Sequence, residues 1–369
     1  MLHKVRKLHT SIMMGRMLKV FLAMYLTAFG SAEVRWMEVR ELGVEGQGWT
    51  ELKHPYDRLP SKAEGMVPGP VWSLGQDSAG MLVRFTTDST ELRARWTLRK
   101  KSLAMPHMPA TGVSGLDLYV FVEGKWHWLA NGRPEQFPTN EKTLVTGLEA
   151  KSRDYLLYLP LYNGVEQVEI GVPESVKVER TKVQRKKPVL FYGSSILQGG
   201  CAARPGMAYP SIIGRMLNVP TINLGFSGNG KCEPEMASLL AELDPSVFVF
   251  DSLPNLTPEE AIERVEPLLA TFRKAHPKTP IVLVENTIPH GSLVLTSRKD
   301  SAVKKNATLR SLFSKLSPED PNLFYVDSRN LLGNDDEGTV DGVHPTDLGF
   351  ARMAETIRPF IKQALERSN

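Results

Sequence analysis

The sequence predicts two domains of different class, an all-β sandwich followed by a doubly wound α/β domain. The chain has 369 residues, which is enough for about two domains. From Pro188 onward, short and almost wholly apolar runs alternate with helix-like stretches, as they do where helices cover both faces of a parallel sheet. Between Glu33 and residue 180, short strand-like runs are separated by turn residues and have no helical period. The boundary between the domains is therefore expected near residue 180.

The first 32 residues are predicted to lie outside both domains. A basic head between Lys4 and Lys19 precedes the apolar run Val20–Phe29, which is too short to span a bilayer. Small residues follow at Gly30–Ala32. This pattern is typical of a secretory signal peptide, so cleavage after Ala32 and a secreted or periplasmic mature protein are expected. The alternative is an uncleaved anchor. No later segment is long and apolar enough to cross a membrane, so no stable membrane partner is expected.

Residues 33–180 are predicted to form the β-sandwich. Asn163-Gly164 separates two strand-like runs and is a strong signal for a hairpin turn. All six tryptophans fall in this domain. Because tryptophan is mostly buried on average, core packing is favoured over stacking on sugar rings. The strand-like runs are Met81–Thr86, Leu92–Leu98, Leu116–Val122, Trp126–Leu129, Tyr155–Tyr162 and Val165–Val172.

A polar, basic connector at residues 181–187 joins the sandwich to the α/β domain at residues 188–369. A solvated linker is favoured there over a polyanion site. One predicted helix has Thr257 as its cap, Pro258 at the first position and Glu260 at the third. The residues expected on its inner face are Ile262, Val265, Leu269 and Phe272. The predicted strands are Val189–Tyr192, Thr221–Leu224, Val247–Phe250, Ile281–Val284 and Leu323–Val326.

Two short motifs at opposite ends of the α/β domain carry candidate catalytic groups. The first strand breaks at Gly193 into Ser194 and Ser195, which places a hydroxyl at the carboxyl edge of the sheet, where open α/β sheets bind ligands. Near the end of the chain, Asp341 lies three residues before His344. At that spacing the carboxylate can hold Nδ1 of the imidazole, which leaves Nε2 to accept a proton from a serine hydroxyl. Together the motifs predict nucleophilic catalysis by serine.

These motifs belong to a set of four that resembles the SGNH, or GDSL-like, hydrolase superfamily. The other two are Asn223–Asn229 and Asp251–Asn255, which follow the second and third predicted strands. The resemblance covers residues 187–367 and implies a flavodoxin-like sheet with strand order 2-1-3-4-5. It assigns the nucleophile to Ser195, and the rest of a catalytic triad to Asp341 and His344.

The resemblance also implies an oxyanion hole. Its donors would be the Ser195 amide, the Gly228 amide and the Asn255 side chain. Two departures from the superfamily pattern mark a divergent branch. Ser194 stands where Asp is usual before the nucleophile, and no Asp follows Asn255.

The β-sandwich has a resemblance of its own. Gly115-Leu-Asp-Leu-Tyr119 is similar to the Gly-x-Asp-Leu-Tyr motif of a small β-domain that precedes SGNH hydrolase domains in some bacterial proteins. The loop Pro106–Thr111 comes just before it and is unusually rich in Pro and Met. We expect this loop to reach the rim near Ser195 and to line one wall of the substrate cleft. The candidate substrate-binding residues are His107, Met108, Arg204 and Asn229.

The interpretation that unites these features is a secreted serine ester hydrolase that uses an acyl-enzyme intermediate. A secreted member of this superfamily with an accessory β-domain resembles a carbohydrate esterase, so an acetylated glycan or a small ester is the expected substrate. No apolar lid that would indicate a lipase is evident in the sequence. The alternatives are a lysophospholipase or thioesterase of the same superfamily, and a non-catalytic carbohydrate-binding protein.

Composition and motifs argue against other kinds of site. The net charge is +4, with no long basic run that contains aromatic residues, so nucleic acid is not an expected partner. The sequence has no His-Glu-x-x-His and no Gly-x-x-x-x-Gly-Lys, so neither a metal nor a nucleotide cofactor is expected. Export would place Cys201 and Cys232 in an oxidising compartment. A disulfide between them and two buried thiols are both open alternatives, because disulfide geometry cannot be read from sequence.

Overall fold

The computed structural model describes residues 33–182 and 186–368. The predicted signal peptide, residues 1–32, lies outside the described residues, as do residues 183–185 of the predicted connector. Within the described ranges, no helix combines the length and the apolar character that a membrane span requires.

The amino-terminal domain consists of two antiparallel sheets that share one core. Its strands are β1 (Val34–Glu38), β2 (Val44–Glu45), β3 (Leu82–Thr87), β4 (Glu91–Leu98), β5 (Leu116–Val122), β6 (Lys125–Gly132), β7 (Thr139–Thr146), β8 (Arg153–Tyr158), β9 (Val165–Pro173) and β10 (Val178–Arg180), and its two short helices are α1 (Gly69–Gly75) and α2 (Ala110–Val113). The strand orders are β1-β9-β4-β7 and β10-β3-β8-β5-β6, and β2 pairs with β3. Alternate residues of β4, such as Leu92, Ala94 and Trp96, are buried between the sheets. The predicted all-β sandwich is confirmed.

The predicted hairpin at Asn163-Gly164 is wrong. Strand β8 before it belongs to one sheet and strand β9 after it to the other, so this connection crosses between the sheets. A type I′ hairpin turn needs a positive φ at both central residues, and neither residue has one. Asn163 is instead fully buried, and its side-chain amide donates to Lys100 O and to Ser114 Oγ. The hairpin between β5 and β6 turns at Glu123-Gly124, where both φ angles are positive.

The carboxyl-terminal domain is a five-stranded parallel sheet with helices on both faces. Its strands are β11 (Val189–Gly193), β12 (Thr221–Gly225), β13 (Val247–Asp251), β14 (Ile281–Val284) and β15 (Leu323–Val326). Its helices are α3 (Ser195–Gln198), α4 (Tyr209–Leu217), α5 (Pro234–Leu240), α6 (Pro258–Ala275), α7 (Thr296–Leu316) and α8 (Asp347–Ser368). The order β12-β11-β13-β14-β15 is 2-1-3-4-5 within this domain, as the resemblance implied.

Burial on both faces explains the apolar runs of this sheet. In β11, Leu190 and Tyr192 pack in the core on one face, whereas Val189 and Phe191 pack in the core on the other. Every residue of β11, β12 and β13 is buried. A strand that faces helices on both sides has no polar face, which is why its sequence does not alternate. The predicted doubly wound fold is confirmed.

Helix α6 begins as predicted but buries a slightly different face. Thr257 and Glu260 form the expected reciprocal capping box. Ile262 is 67% exposed, so its expected place on the inner face is wrong. Ala261 takes that place, because it lies four residues before the buried Val265 and side chains at that spacing share a face. The other buried residues of the predicted face are Leu269 and Phe272.

A buried arginine of the β-domain joins the two domains. Arg58 is 1% exposed, and its guanidinium donates to Asn223 O (3.0 Å) and Gly225 O (2.7 Å) at the carboxyl end of β12. It also donates to Asp77 O and Leu74 O in its own domain. These carbonyls replace the hydration that the guanidinium loses on burial. The β-domain thereby fixes the backbone from which the loop containing Gly228 starts.

Candidate active site

The turn after β11 places its two serines differently. A Cβ on Gly193 would lie 2.1 Å from Asp251 O, so glycine is what allows β11 and β13 to approach closely at this point. The Ser194 hydroxyl accepts a hydrogen bond from Ile196 N–H (3.3 Å) and caps helix α3. The Ser195 hydroxyl points toward His344 instead. Of the two serines, Ser195 is therefore the one that faces a base.

Ser195, His344 and Asp341 form a continuous hydrogen-bonded chain. Ser195 Oγ lies 2.8 Å from His344 Nε2, and His344 Nδ1 lies 2.7 Å from an Asp341 carboxylate oxygen. A carboxylate can only accept hydrogen bonds, so Nδ1 carries the ring proton and Nε2 is the acceptor for the serine hydroxyl. This arrangement can remove the serine proton during attack on an acyl carbon.

Asp341 is held as an anion. Partial burial by itself would raise its pKa, but hydrogen bonds from the backbone N–H and the ring of His344, and from Val343 N–H, lower the pKa to about 2. The carboxylate therefore stays ionised at any pH at which an imidazole can act as a base. A fixed negative charge here stabilises the imidazolium that forms during proton transfer.

A second carboxyl, that of Asp251, lies behind the nucleophile turn. Its backbone carbonyl accepts a hydrogen bond from Ser194 N–H (3.2 Å), and its side chain accepts one from the Tyr209 hydroxyl (2.8 Å). Burial raises the pKa of Asp251 to about 7, although the Tyr209 hydrogen bond opposes the shift. The role of Asp251 is thus to support the turn, and its position in the third sequence motif did not indicate this.

The β-domain contacts the nucleophile turn directly. The Tyr162 hydroxyl donates to Ser195 O (3.2 Å). Gln198, at the end of α3, donates to an Asp77 carboxylate oxygen (3.3 Å) and accepts from Ser227 N–H (3.0 Å). Gln198 therefore links the β-domain, the nucleophile helix and the loop after β12. No sequence motif marks Gln198, because its partners are distant along the chain.

The groups predicted for the oxyanion hole differ in whether their N–H groups are free to bind a substrate oxygen. Among the described residues, neither Ser195 N–H nor Gly228 N–H has an acceptor. The Asn255 amide, by contrast, donates to Phe226 O (3.1 Å) and to Asn229 O, which uses both of its hydrogens. The predicted role of Asn255 as a direct oxyanion donor is therefore corrected, and Asn255 holds the loop that carries Gly228. Phe226 O also accepts a hydrogen bond from Asn229 N–H within this turn (2.9 Å), so Asn255 adds a second hydrogen bond there.

Arg204, which the sequence interpretation expected to contact substrate, is held by the β-domain through one of its guanidinium nitrogens. It donates to an Asp117 carboxylate oxygen (2.9 Å) and to the Tyr119 hydroxyl, and it packs over the Trp128 ring. Asp117 is fully buried and also accepts from Gly206 N–H and Trp128 Nε1–H (2.9 Å each). Burial raises the pKa of Asp117, and the Arg204 charge opposes that shift. The central Asp of the Gly-x-Asp-Leu-Tyr motif thus fixes the loop after α3.

Of the other expected substrate contacts, that of Met108 is wrong and that of Asn229 stays a prediction. The Asn229 side-chain amide donates to Ser227 O (2.9 Å) within its own turn. Met108 is 2% exposed and packs in the apolar core between the domains. His107, next to it, is exposed, and its ring centroid lies 5.8 Å from that of His344. The Pro106–Thr111 loop therefore lies beside His344, with Met108 buried in the core and His107 at the rim.

The two cysteines are separate, buried thiols in this structure, so the disulfide alternative is not realised. Both adopt a positive φ, 73° for Cys201 and 58° for Cys232. Burial, together with the nearby Asp341 charge, raises the pKa of the Cys201 thiol to about 12. Cys201 is therefore not a thiolate at neutral pH.

The structure brings three atoms that can ligate a metal to the rim of the site. One atom each from His107, Cys201 and His344 lie within 4.8 Å of one another. No motif in the sequence indicates this cluster, since His107 comes from the β-domain. Asp341 holds Nδ1 of His344, so the nitrogen that faces a cation is Nε2. A cation bound here would compete with Ser195 for the base.

A cavity of about 400 Å³ opens beside Asp341 and His344, and we call it the His344 cavity. Its other lining residues come from the loops after β13 and β14, from helix α7 and from the loop before α8: Pro254, Asn286, Thr287, Pro289, Arg298, Ser301, Ala302, Lys305 and Val343. Cavities of about 480 and 500 Å³ lie at the amino ends of the strands, near Thr221 and Leu323. Open α/β sheets bind ligands at the carboxyl ends of their strands, so the His344 cavity is the candidate substrate site.

Two family patterns together match most of the chain. The GDSL-like Lipase/Acylhydrolase family matches residues 186–362. The pattern GxDLY, described as the N-terminus of Esterase_SGNH_hydro-type, matches residues 34–178. No curated protein sequence matches the chain.

Solved structures resemble the chain over both domains. A structure described as a GDSL-like lipase from Bacteroides ovatus is 35% identical, with a TM-score of 0.85 and coverage of 90% of this chain and 98% of that one. A salicylyl-acyltransferase from a tetracycline biosynthetic pathway is 18% identical, with a TM-score of 0.68 and coverage of 91% and 96%. A family two carbohydrate esterase from Clostridium thermocellum, in complex with cellohexaose, is 16% identical, with a TM-score of 0.57 and coverage of 78% and 94%. The last two show a shared fold.

Proposed function

We propose that this chain, which belongs to the GDSL-like lipase/acylhydrolase family, is a secreted serine esterase that removes O-acetyl groups from carbohydrate. Family membership makes it a hydrolase that cleaves esters. The observation that supports the serine mechanism is the hydrogen-bonded chain from Ser195 Oγ through His344 to Asp341, with distances of 2.8 and 2.7 Å. All three groups are present, which favours an enzyme over the non-catalytic carbohydrate-binding alternative.

The geometry supports a two-step mechanism. Ser195 Oγ attacks the ester carbonyl as His344 Nε2 takes its proton, and the free Ser195 and Gly228 amides stabilise the oxyanion. The imidazolium then gives its proton to the leaving alcohol, and an acyl-enzyme remains on Ser195. A water molecule, deprotonated by the same nitrogen, releases the acid and restores the serine.

The features around the triad support a substrate in which a small acyl group is esterified to a polar alcohol. The His344 cavity is lined by amide, hydroxyl and cationic side chains, which suit an oxygen-rich ligand. The β-domain places exposed His107 beside His344, where it can contact a substrate larger than the reacting ester. The predicted signal peptide would carry the enzyme to extracellular or periplasmic glycans.

Release of acetate from a panel of acetylated polysaccharides tests this proposal, with Ser195→Ala as the inactive control. We expect acetate release by the parent protein from at least one polymer, and release at the uncatalysed rate by the variant. Turnover of 4-nitrophenyl acetate without acetate release from any polymer would contradict the proposal that the substrate is a carbohydrate. No turnover of either kind of substrate would contradict the proposal that the protein is an esterase.

The pH dependence tests the histidine base. A free imidazole has a reference pKa of about 6.5, and a protonated base cannot accept the serine proton. The rate on 4-nitrophenyl acetate should therefore fall as the pH drops below neutrality, whereas the pKa of Asp341, about 2, keeps its carboxylate ionised over this range. A rate that stays constant down to about pH 4.5 would exclude a histidine base.

One observation favours a second candidate, a lysophospholipase. The loop after β14 carries an exposed apolar tip, Leu293-Val294-Leu295, with exposed fractions of 86%, 82% and 47%. This tip precedes Arg298, which lines the His344 cavity, and an apolar tip of this kind can contact a lipid surface. The sequence interpretation did not identify such a segment. Rates on 4-nitrophenyl esters from acetyl to palmitoyl separate the candidates: the acetyl esterase requires a steep fall with chain length, and the lysophospholipase requires a rise.

A further inference from the structure

A buried lysine in the His344 cavity lacks a counter-charge. Lys305, in helix α7, is 6% exposed, and its ammonium donates to Pro254 O at 3.3 Å. Among the described residues, no carboxylate lies within 4.0 Å of it. Burial lowers the pKa of Lys305 to about 8, so the side chain is still mostly charged at pH 7. An ammonium without a counter-charge is unfavourable at this depth, and its presence here points to a ligand.

Other polar groups of this cavity also lack protein partners. Asn286 and Thr287 are 6% and 4% exposed, and within the described chain neither side chain makes a hydrogen bond. Arg298 adds a second cationic group at the rim. Asp341, the carboxylate in the lining, is already bound to His344. The cavity therefore offers two positive charges, an amide and a hydroxyl to whatever occupies it.

The position of the cavity identifies the part of the substrate that it holds. In serine hydrolysis the imidazolium gives its proton to the leaving alcohol, so the alcohol part of the ester lies beside the histidine. The His344 cavity is lined by His344 and Asp341, and its lining does not include Ser195 or Gly228, the residues of the predicted oxyanion amides. The alcohol part of the ester thus lies toward Lys305.

We propose that Lys305 and Arg298 bind a carboxylate on the alcohol part, so that the substrate is an acyl ester of a hexuronic acid. The inference rests on the proposed function, since it names the sugar whose ester is cleaved. A hexuronate supplies one negative charge for the Lys305 ammonium and several hydroxyls for Asn286 and Thr287. Charge-assisted hydrogen bonds to a carboxylate are stronger than those to a neutral hydroxyl, so a neutral hexose fits the cavity less well.

Competition between paired sugars tests the proposal. Glucuronate, galacturonate and mannuronate differ from glucose, galactose and mannose by a carboxylate in place of a hydroxymethyl group. With 4-nitrophenyl acetate as the reporter, at least one uronate should inhibit at about a tenfold lower concentration than its hexose. The variant Lys305→Met should lose most of this preference, whereas Lys304→Met, which changes an exposed neighbour on the same helix, should keep it. Equal inhibition by every uronate and its hexose would overturn the proposal, and so would an undiminished preference in Lys305→Met.

Two further measurements separate this inference from the proposed function. Calorimetric binding of uronate to Ser195→Ala needs no catalysis, so binding without any esterase activity would retain the carboxylate site and reject the esterase. Inhibition by glycerol 3-phosphate, compared with inhibition by glycerol, tests whether the bound anion is a phospholipid headgroup. If glycerol 3-phosphate inhibits in a Lys305-dependent way and no uronate does, the proposal that the substrate is an ester of a sugar acid is overturned. If Lys305→Met does not fold, the parent protein's comparison of uronates with hexoses still decides the outcome.

Discussion

The two domains differ in where the polar side chains near the site point. In the α/β domain, Ser195 follows a strand end, Asp341 and His344 precede helix α8, and the three side chains contact one another at the open rim of the sheet. In the β-domain, the buried charges Arg58 and Asp117 point across the interface and bind the backbone of the other domain. One domain supplies the candidate catalytic groups, and the other supplies contacts that fix loops next to them.

This difference indicates that the β-domain is part of the framework of the active site. Arg58 is 1% exposed and Asp117 fully buried, and each has several hydrogen-bond partners at the interface. Buried charges are tolerated when they are paired in this way, and removal of one partner is strongly unfavourable. A β-domain that served as a spacer would not need such contacts. Four experiments test the comparison, in order of decreasing expected effect.

The largest effect should come from the α/β domain. Ser195→Ala removes the nucleophile, so kcat on 4-nitrophenyl acetate should fall by at least about 10³-fold. Ser194→Ala is the matched control, since its hydroxyl caps helix α3 and does not face His344. This control should keep most of the activity and lose roughly 1 kcal/mol of stability. A larger loss of activity in Ser194→Ala than in Ser195→Ala would reverse the assignment of the nucleophile.

A metal should inhibit by binding across the two domains. Zn²⁺ binds imidazole and can displace the proton of a cysteine thiol, and His107 of the β-domain lies with Cys201 and His344 of the α/β domain in one cluster. We expect Zn²⁺ to inhibit esterase activity and a chelator to restore it. Cys201→Ser should raise the half-inhibiting concentration by about tenfold or more. Inhibition that is the same in Cys201→Ser and in the parent would place the metal elsewhere.

A smaller effect should follow from the loss of the Asp117 charge, which does not take part in the reaction. Asp117→Asn leaves the Arg204 guanidinium without its counter-ion and loosens the loop after α3, so we expect kcat to fall by about tenfold and stability by about 3 kcal/mol. The assay is made at a temperature where the variant is fully folded by circular dichroism. Glu135→Gln is the control, because Glu135 pairs with Lys142 at an exposed site and should have almost no effect. An unchanged kcat in Asp117→Asn would make the interface purely structural.

The smallest effect should come from a change of His107, at the rim of the site. His107→Ala should lower kcat/KM roughly threefold on an acetylated polymer relative to 4-nitrophenyl acetate, because remote contacts count when the substrate reaches them. Met108 is left unchanged in this experiment, since it is buried and its loss would disturb the core. Equal ratios for the variant and the parent would leave the loop without a role in substrate binding.

The sequence by itself determined the strands of the parallel sheet and six strands of the β-domain, whereas β1, β2, β7 and β10 were not predicted. Apolar runs without alternation predicted every strand of the parallel sheet, because burial on both faces excludes polar residues from such strands. The Gly-x-Ser turn and the Asp-x-x-His spacing predicted Ser195, Asp341 and His344, whose side chains the structure places in contact. Each motif is local, and its geometry is set by a few neighbouring residues. The exposed Ile262 shows that even a well-capped helix leaves the centre of its buried face uncertain by one position.

The tertiary structure alone decided which side chains are free to contact a substrate. Arg204 and Met108 were both expected to contact substrate. Arg204 instead binds Asp117, and Met108 packs in the core between the domains. These partners are far away in the sequence. The Asn255 amide is used by two carbonyls of the loop after β12, and Lys305 has no motif around it at all. The physical reason is the same in each case. A buried polar group must find a partner wherever the fold places one, and the pairing depends on contacts between distant segments, which local spacing does not encode.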